Sequence, residues 1–445
     1  MAIVKPFKGI RYNTNKLDIS KVVTPPYDVI SQKEQEAYYA CDPYNIIRLI
    51  LGKHLTGDDK TKNRYSRALE CYTTWQDADY LIHDDQPAFY LTSMDFTIGN
   101  EQYKRYGLIA LVRLENFDSG VVKPHEKTFS NIKSERLKLM IACQANFSPI
   151  FSLFPDKDHF VLDTLLQSVE NQSPELAFDD DKDQSHKLWR ILDPDVHAKI
   201  EQAMSDKPIF IADGHHRYET GLQYLSYLEE KQGTLADTHP ARYIMMYLSS
   251  MDDPGLVICP AHRQVTTVKE NYLNSFLNTV TQYFDVKAFP FDTDTRSEVL
   301  RQFMNELSEG KDLHRLGVYY KNHSAFILLT LKPGILDNEQ DIPPALRDLD
   351  VTLLTQVIFE RILDMNQEIL DDENQITYTT NIEEAIKNVD SNNCDMVILL
   401  NPTRIDQVEA VANAGLTMPR KSTYFFPKVI TGLVINDLGQ HQEIK

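Results

Sequence analysis

Near its middle the chain contains the stretch Pro208-Ile209-Phe210-Ile211-Ala212-Asp213-Gly214-His215-His216-Arg217-Tyr218-Glu219-Thr220. A mostly apolar run leads into a polar run, and apolar residues then recur at helical spacing: Tyr218, Leu222, Leu225 and Leu228. This pattern predicts a strand, a tight turn and a helix. A helix that begins directly after a glycine offers free backbone N–H groups and the positive end of its dipole, so the turn suits an anion.

The side chains of this turn favour phosphate as the anion. His215, His216 and Arg217 can donate hydrogen bonds to phosphate oxygens, and Gly214 supplies a backbone N–H group. Asp213 adds a proton acceptor or a metal ligand. A capped turn with structural histidines is the alternative interpretation, but consecutive polar residues between two apolar elements favour a functional site. We therefore predict that Gly214, His215 and Arg217 bind phosphate.

Length and composition indicate a soluble, globular protein of two or three domains. The chain has 445 residues, of which 42% are hydrophobic and 25% are charged. Its net charge of −19, from 46 basic and 65 acidic residues, opposes binding to nucleic acid or to anionic membranes. No block of Lys and Arg reverses this balance locally, so we expect neither as a partner.

Cysteine usage and hydropathy predict a cytoplasmic location. The cysteines are few, odd in number and widely spaced: Cys41, Cys71, Cys143, Cys259 and Cys394. Such a set is typical of unpaired thiols in a reducing compartment. The sequence shows neither a signal peptide nor an apolar window long enough to cross a membrane.

The remaining elements follow one another without regular βαβ alternation, which predicts an α+β fold. Helices are expected after a capping box at Ser31 and Glu34, and at residues 63–79, 134–142, 194–204, 270–284, 296–307, 349–363 and 382–388. Strands are expected at residues 88–92, 103–114, 186–192, 256–263, 316–320, 324–331, 396–400 and 427–435. We divide the chain into an N-terminal domain, residues 1–250, which carries the phosphate turn, and a C-terminal α/β domain, residues 251–445.

A second cluster of chemically capable side chains lies shortly after residues 121–122. His125, Glu126 and Lys127 share one short loop, and loops placed by strands often carry chemistry. Glu126 is a candidate general base, His125 a candidate substrate-binding residue and Lys127 a candidate phosphate-binding residue. A charged turn is the alternative interpretation. Arg136, on the next predicted helix, is a further phosphate-binding candidate, although a helical Arg is more often solvent-facing.

Other polar residues are candidates that each have a structural alternative. Asn146 and Ser148 interrupt an apolar stretch, where they bind substrate or cap a turn. Lys428 is a candidate substrate-binding residue that could touch a phosphate, although an exposed lysine commonly has no such role. Asp28 follows a rigid double proline and is a candidate ligand for metal or substrate, whereas packing is the stronger interpretation of Tyr27. The sequence assigns no metal-ligand set.

The sequence lacks the motifs of several large enzyme classes. Its glycines form neither a dinucleotide fingerprint nor a Walker loop, and it contains neither a G-x-S-x-G elbow nor an H-E-x-x-H motif. Rossmann dehydrogenases, standard nucleotide kinases and serine hydrolases are therefore poor fits.

Over nearly its whole length the chain resembles a bacterial and archaeal family known as domain-of-unknown-function family 1015. The resemblance rests on residues 24–30 (TPPYDVI), 124–128 (PHEKT), 145–151 (ANFSPIF), 211–220 (IADGHHRYET) and 426–428 (FPK). The turn at residues 213–217 is also similar to the phosphate-binding turn of the ParB/sulfiredoxin superfamily, which includes enzymes that phosphorylate free serine with ADP. The resemblance implies a ParB/sulfiredoxin-like catalytic region with a mixed sheet.

The same resemblance implies roles for three residues of the turn. Asp213 and His216 fall on the catalytic acid and histidine of the serine kinase motif, and Arg217 falls on its phosphate-binding arginine. The family is linked to serine metabolism with pyrophosphate as phosphoryl donor. The leading hypothesis is therefore phosphoryl transfer from pyrophosphate or ADP to free L-serine. In it, Mg²⁺ bridges donor oxygens, and Asp213 or Glu126 accepts the serine proton.

Two hypotheses from other functional classes remain open at this point. The first is a non-catalytic sensor that binds a phosphorylated metabolite or nucleotide through the same turn. The second is ParB-like nucleic-acid binding, which the net charge of −19 disfavours.

Overall fold

The predicted strand, turn and helix are present in the computed structural model. A strand, Ile209–Asp213, leads through Gly214 into a helix, His215–Gln232. The structure describes residues 1–126, 130–309, 313–336, 341–372, 374–439 and 444, without the side chains of residues 130–132. Within these residues, no helix combines the length and the apolar character that a bilayer crossing needs.

The strands, in chain order, are β1 (Val4–Lys5), β2 (Ile10–Tyr12), β3 (Leu81–His83), β4 (Phe89–Ile98), β5 (Glu101–Arg113), β6 (Val122–Lys123), β7 (Ala145–Asn146), β8 (Ile150–Phe154), β9 (Leu176–Asp179), β10 (Ser185–Ile191), β11 (Ile209–Asp213), β12 (Tyr243–Ser250), β13 (Val257–Cys259), β14 (His262–Val265), β15 (Phe284–Pro290), β16 (Arg315–Tyr320), β17 (Ala325–Leu331), β18 (Ile376–Thr379), β19 (Met396–Leu400), β20 (Tyr424–Phe426) and β21 (Asn436–Asp437).

The α-helices are α1 (Gln32–Cys41), α2 (Ile47–Ile50), α3 (Arg64–Asp77), α4 (Ser130–Cys143), α5 (Phe160–Val169), α6 (Pro194–Met204), α7 (His215–Gln232), α8 (Glu270–Val280), α9 (Arg296–Glu309), α10 (Pro344–Arg347), α11 (Asp350–Leu353), α12 (Gln367–Asp371), α13 (Ile382–Asp390) and α14 (Ile405–Asn413). A π-helical stretch, Leu354–Ile362, continues α11, so the predicted helix at residues 349–363 is present with wider hydrogen bonding over its second part.

Several helices begin where the sequence predicted because their caps are local. Ser31 and Glu34 form the expected capping box at the start of α1. Asn63 caps α3, and the Asp193 side chain caps α6, whose first residue is Pro194.

The chain divides into two compact units, of which the first comprises Met1–Val257 and Pro427–Lys445. Its large sheet has the order β6-β11-β8-β12-β5-β4-β10-β9, and β1 pairs with β5. The pairs β6·β11 and β8·β12 are parallel, whereas the other pairs along this order are antiparallel. The predicted mixed sheet is therefore present in the unit that carries the turn at residues 213–217.

The parallel pair β6·β11 explains why two distant loops meet. In it, Ile209 lies opposite Val122 and Phe210 opposite Lys123. Because parallel strands end at the same edge of a sheet, the loop after β6 and the turn after β11 emerge side by side. Glu126 and His215 are thereby brought together from about 90 residues apart in the chain.

The core of the first unit lies between this sheet and its helices. Alternate residues of β5 and β12 enter it, as expected for strands with one face turned inward: Leu108, Ala110, Val112, Ile244, Met246 and Leu248. Tyr218 of α7 is fully buried in the same core, and Leu222 and Leu225 pack against it. The apolar spacing after the turn therefore marks the face that holds α7 on the sheet.

The C-terminal segment, residues 427–439, belongs to the first unit, although the sequence analysis assigned it to the second domain. Thr431 forms a β-bridge with Thr24, and Ile435 forms one with Ile10. The continuous strand predicted at residues 427–435 is therefore wrong, because the segment pairs with one partner after another rather than along one ladder. Its strand, β21, is shorter, lies later and pairs with β7.

The second unit, Ile258–Phe426, contains a sheet of order β15-β17-β16-β19-β14-β18. All of its pairs are antiparallel, so the unit contains helices and strands as expected but is not α/β in the strict sense. The strand predicted at residues 256–263 is divided into β13 and β14. Pro260, which lacks a backbone N–H group, lies between them.

Both faces of this second sheet are buried, which accounts for the unbroken apolar runs in its sequence. Leu316, Val318 and Tyr320 of β16 enter one core cluster, whereas Tyr319 enters another. The same alternation divides Met396, Ile398 and Leu400 of β19 from Val397 and Leu399. Strands of this kind have no polar face to reveal their register in the sequence.

Candidate functional site

Helix α7 begins without a side-chain cap, and the Arg217 side chain folds back over Gly214, the residue before the helix. Gly214 has φ 100° and ψ 28°, in the left-handed region. A β-carbon at Gly214 would lie 2.8 Å from Cζ of Arg217. Glycine is therefore required here both for the backbone conformation and for the close approach of the guanidinium group.

Asp213 holds two cations at the start of this helix. Its Oδ2 accepts a hydrogen bond of 2.7 Å from Nη2 of Arg217, and its Oδ1 accepts one of 3.0 Å from Nζ of Lys428. Burial alone would raise the pKa of Asp213, but the positive charges of Lys428 and Arg217 outweigh burial and hold that pKa below its ordinary value. The cluster thus joins two positive charges to one negative charge.

Arg217 keeps one donor that no described residue satisfies. Its Nη1 donates to the carbonyl oxygen of Pro149 and its Nη2 donates to Asp213, whereas its buried Nε has no hydrogen-bond partner within the described part of the chain. The side chain is only 10% exposed. Since buried donors are nearly always satisfied in native proteins, the free Nε indicates a place for a ligand oxygen.

Two histidines from different loops, His125 and His215, pack together beside the helix start as neutral imidazoles. The backbone N–H of His125 donates to Nε2 of His215 at 3.2 Å, and the two rings lie perpendicular with centroids 4.8 Å apart. This bond places the proton of His215 on Nδ1, 3.8 Å from Oε2 of Glu126. Burial lowers the pKa of His125 to about 4 and lowers the pKa of His215 well below its ordinary value.

A pocket lies beside the charged cluster and brings together candidates from distant parts of the sequence. The centres of water-sized molecules can occupy about 60 Å³ of it, several times the roughly 10–15 Å³ that one water needs. Its lining consists of Tyr27, Ile50, Arg136, Leu139, Met140, Ala145, Asn146, Phe147, Ser148, Ile150, Arg217, Thr220 and Ile244. Four sequence-predicted site residues therefore share one small cavity: Arg136, Asn146, Ser148 and Arg217.

The C-terminal segment fixes the polar side chains of this pocket. Oδ1 of Asn146 accepts hydrogen bonds from the Met245 backbone N–H and from Nδ2 of Asn436. Oγ of Ser148 accepts a hydrogen bond of 3.0 Å from the hydroxyl of Thr431. Asn146 can therefore present its amide N–H groups to a ligand, and Ser148 can present its hydroxyl hydrogen.

Arg136 occupies the pocket wall on α4. Its guanidinium carbon lies 4.0 Å from the centroid of the Tyr27 ring, and its Nη1 donates to the Ile50 carbonyl oxygen at 2.6 Å. Burial lowers the pKa of Arg136 from its ordinary value, an effect that the nearby Tyr27 opposes. Tyr27, interpreted from sequence as a packing residue, therefore also lines the pocket.

The structure places the other candidates elsewhere. His216 lies half-buried in the first turn of α7, where its carbonyl oxygen accepts a hydrogen bond from the Thr220 hydroxyl. His125 packs against His215 and is not part of the pocket lining. Asp28 is exposed, and Lys127 lies outside the described residues.

Sequence reasoning missed Thr431, Pro149 and the pocket-lining role of Tyr27. Their contributions depend on a bridge between Thr24 and Thr431 and on the backbone carbonyl of Pro149. The two prolines before Tyr27 predict a rigid backbone there, but no sequence pattern predicts that the Tyr27 ring packs against Arg136.

The structure tests whether side chains alone could form a metal site. No group of three or more His, Cys, Asp or Glu residues is arranged to hold a metal within the described part of the chain. Asp213, the carboxylate that directly precedes Gly214, is already bound by Arg217 and Lys428. These residues therefore do not form a protein cage for Mg²⁺.

The fold and the site define a mixed-sheet protein with a cationic, uncapped helix start beside a small pocket. The chain belongs to the family described as "Protein of unknown function (DUF1015)", whose model matches residues 4–352. A search of curated proteins finds no match.

Solved structures of low similarity include a free serine kinase mutant in complex with ADP, with 10% identity and a TM-score of 0.36, covering 74% of this chain and 91% of that one. A conserved hypothetical protein from Pyrococcus furiosus has 11% identity and a TM-score of 0.33, covering 74% and 95%. SbnI from Staphylococcus aureus, with a C-terminal truncation, has 9% identity and a TM-score of 0.36, covering 75% and 90%.

The neutral state of His125 predicts how stability depends on pH. Because its pKa falls from 6.5 to about 4 on folding, the unfolded chain binds a proton between these values that the folded chain excludes. The free energy of unfolding is therefore highest above pH 6.5. It falls as the pH drops toward 4, and His125 accounts for at most about 3 kcal/mol of that fall. Urea unfolding of His125→Gln at several pH values in this window should show a shallower pH dependence than the parent protein.

The control for this measurement is His54→Gln, because His54 is exposed. It should keep the slope of the parent protein. Equal slopes for the parent protein and the His125 variant would mean that His125 is not excluded from protonation by folding.

The close contact at Gly214 predicts a specific effect of adding a β-carbon. Gly214→Ala should lower the free energy of unfolding, because Arg217 must move away from the helix start. It should also weaken the anion binding predicted for this helix start, with pyrophosphate as the probe, by roughly 10-fold or more. Gly120→Ala is the matched control, since Gly120 has φ 69° with open space around it. That control should cost about 1–2 kcal/mol of stability from backbone strain alone. Urea unfolding and calorimetry measure both effects, and unchanged pyrophosphate binding in the Gly214 variant would contradict the assignment.

Proposed function

We propose that the protein is a phosphotransferase that moves a phosphoryl group from pyrophosphate, or from ADP, to the hydroxyl of free L-serine. The product is O-phosphoserine. The observation that carries the proposal is the arrangement of Arg217 and Lys428 on Asp213 at the uncapped start of α7, directly beside a pocket for a small molecule.

The cationic helix start suits the phosphates of the donor. Phosphoryl transfer requires positioning and neutralisation of charge on the phosphate oxygens more than covalent chemistry. The free Nε of Arg217 and the first backbone N–H groups of α7 supply donors, and Lys428 adds a second charge. Gly214 lets the backbone and the Arg217 side chain approach the same oxygen cluster.

Asp213 acts in this proposal as the residue that positions both cations. Its carboxylate accepts hydrogen bonds from Arg217 and Lys428, and the same partners keep its pKa low. A carboxylate stabilised in this way is a weak base. Asp213 is therefore less suited than Glu126 to take up the serine proton.

Glu126 is the proposed proton acceptor. It lies at the sheet edge next to the helix start, with Oε2 3.8 Å from Nδ1 of the neutral His215. In the reaction, serine Oγ forms a bond to phosphorus while the bond from phosphorus to the leaving phosphate, or to AMP when ADP is the donor, breaks. The hydroxyl proton passes to the Glu126 carboxylate. His216, in the first turn of α7, is the proposed further contact of the transferred group.

Mg²⁺ is expected to enter with the donor rather than in a protein cage. Donor phosphate oxygens and water are the usual ligands of Mg²⁺ in sites of this kind. When bound there, the ion would add positive charge to that of Arg217 and Lys428. We assign no step of the reaction to it.

Loss of the Arg217 side chain should lower phosphoserine formation by about 10³-fold or more, because the donor loses its main charged contact. The assay is phosphorus NMR of serine incubated with pyrophosphate or ADP and Mg²⁺, comparing the parent protein with Arg217→Ala. Arg301→Ala serves as control and should keep full activity, because Arg301 is exposed and, among the described residues, pairs only with Glu298.

Near-full activity of Arg217→Ala would contradict the proposal that the start of α7 binds the donor phosphates. If the parent protein binds pyrophosphate, ADP or phosphoserine by calorimetry but forms no product, the protein is a sensor of phosphorylated ligands and not a phosphotransferase.

Replacement of the proposed base tests the proton transfer. Glu126→Gln should lower kcat by roughly 10²–10⁴-fold with little change in pyrophosphate affinity. Glu170→Gln, at an exposed position of the same unit, should retain the rate of the parent protein. A Glu126 variant with an unchanged rate would assign the proton to another acceptor.

A further inference from the structure

Arg136 is a pocket-lining cation that forms no salt bridge with any described residue, and Asp28 acts on it only through its charge. Arg136 donates a hydrogen bond to the carbonyl oxygen of Ile50 and stacks on the Tyr27 ring. Its Nε is buried and makes no hydrogen bond with any described residue. The adjacent acid, Glu135, is engaged instead by Arg64 and Tyr65.

The contacts of the Arg136 guanidinium group differ from those of Arg217, the other arginine that lines the pocket. Arg217 forms an ion pair with Asp213, whereas the charge of Arg136 meets a carbonyl oxygen and an aromatic face. Removing an unpaired charge from water is costly, so a guanidinium left in this condition favours an anion from outside the chain. The stacking on Tyr27 fixes the plane of the guanidinium group. Nη1 donates to Ile50, so the edge that carries Nε and Nη2 is left to make paired hydrogen bonds with a ligand.

We propose that Arg136 is the receptor for the α-carboxylate of the substrate, so that the pocket selects a free amino acid. A carboxylate matches the planar fork of an arginine with two parallel hydrogen bonds. This inference rests on the proposed function, and it moves Arg136 from the donor phosphates, where the sequence analysis placed it, to the acceptor. It also makes Arg136 a specificity residue, because serine inside a peptide or with a blocked carboxyl group lacks the required charge.

The rest of the lining is consistent with a ligand that is anionic at both ends. Arg136 and Arg217 are the charged residues of the lining in the described chain, and both contact the same cavity. Asn146 and Ser148 add uncharged polar groups, and Phe147 and Ile150 add apolar wall. Phosphoserine carries a carboxylate and a phosphate on a short carbon chain, so it can meet both arginines, each through one end.

The test compares serine with serinamide, in which the carboxylate is replaced by a neutral amide. Calorimetry on the full chain should show that the parent protein binds serine roughly 10- to 100-fold more tightly than serinamide. Arg136→Met should lose this preference while its pyrophosphate affinity stays within about two-fold, and Arg136→Lys should retain part of it. Arg113→Met, which removes a partly exposed arginine of the same unit, should leave the preference intact.

The outcomes separate this inference from the proposed function. Equal binding of serine and serinamide by the parent protein would overturn the carboxylate assignment, as would the absence of serine binding. A loss of pyrophosphate affinity in Arg136→Met, with serine preference kept, would return Arg136 to the donor phosphates. Because these are binding measurements, a failure to form phosphoserine would refute the phosphotransferase without deciding the role of Arg136. Circular dichroism and the Arg136→Lys variant distinguish a lost contact from a lost fold.

Discussion

The ion pairs of Asp213 with Arg217 and Lys428 hold the site together. One carboxylate at the end of β11 binds a side chain from the first turn of α7 and another from a segment 215 residues further along the chain. None of the three charges is well solvated, with side-chain exposures between 10% and 18%. Because an unpaired charge in such surroundings is costly, removal of any member leaves its partners unsatisfied. The interaction therefore couples the shape of the helix start to the closure of the unit by the C-terminal segment.

The C-terminal segment extends this coupling across the pocket. It bridges Thr24 through Thr431, the same Thr431 donates to Ser148, and Asn436 donates to Asn146. Thr431 and Asn436, which do not line the pocket, thus fix the orientation of Ser148 and Asn146, which do. A site built in this way is pre-organised, since its side chains need little rearrangement to meet a ligand.

The sequence predicts those parts of the site whose causes are local. The strand–turn–helix around Asp213 follows from apolar periodicity and a glycine, and the start of α1 follows from a capping box, because the interacting residues lie within a few positions of each other. The pairing of Lys428 with Asp213 depends on tertiary contacts that no local pattern encodes. The same is true of the charge state of His215, which follows from burial beside His125. The predicted boundary after residue 250 lies close to the start of the second unit at Ile258, but the return of the C-terminal segment to the first unit depends on tertiary contacts of the same kind.

The distribution of charge also bears on how the site would work. With His125 and His215 neutral, the fixed positive charge comes from arginine and lysine, and arginine keeps its charge throughout the neutral range. The positive charge of the side chains proposed to bind phosphate would then stay constant as the pH changes near neutrality. Two cations stabilise the ionised carboxylate of Asp213 and so make it a poor proton acceptor. Glu126 has no such pair of cations in its contact with His215, which is a neutral imidazole. In the proposed function, phosphate binding and proton transfer therefore belong to different residues: the first to Arg217 and Lys428, positioned by Asp213, and the second to Glu126.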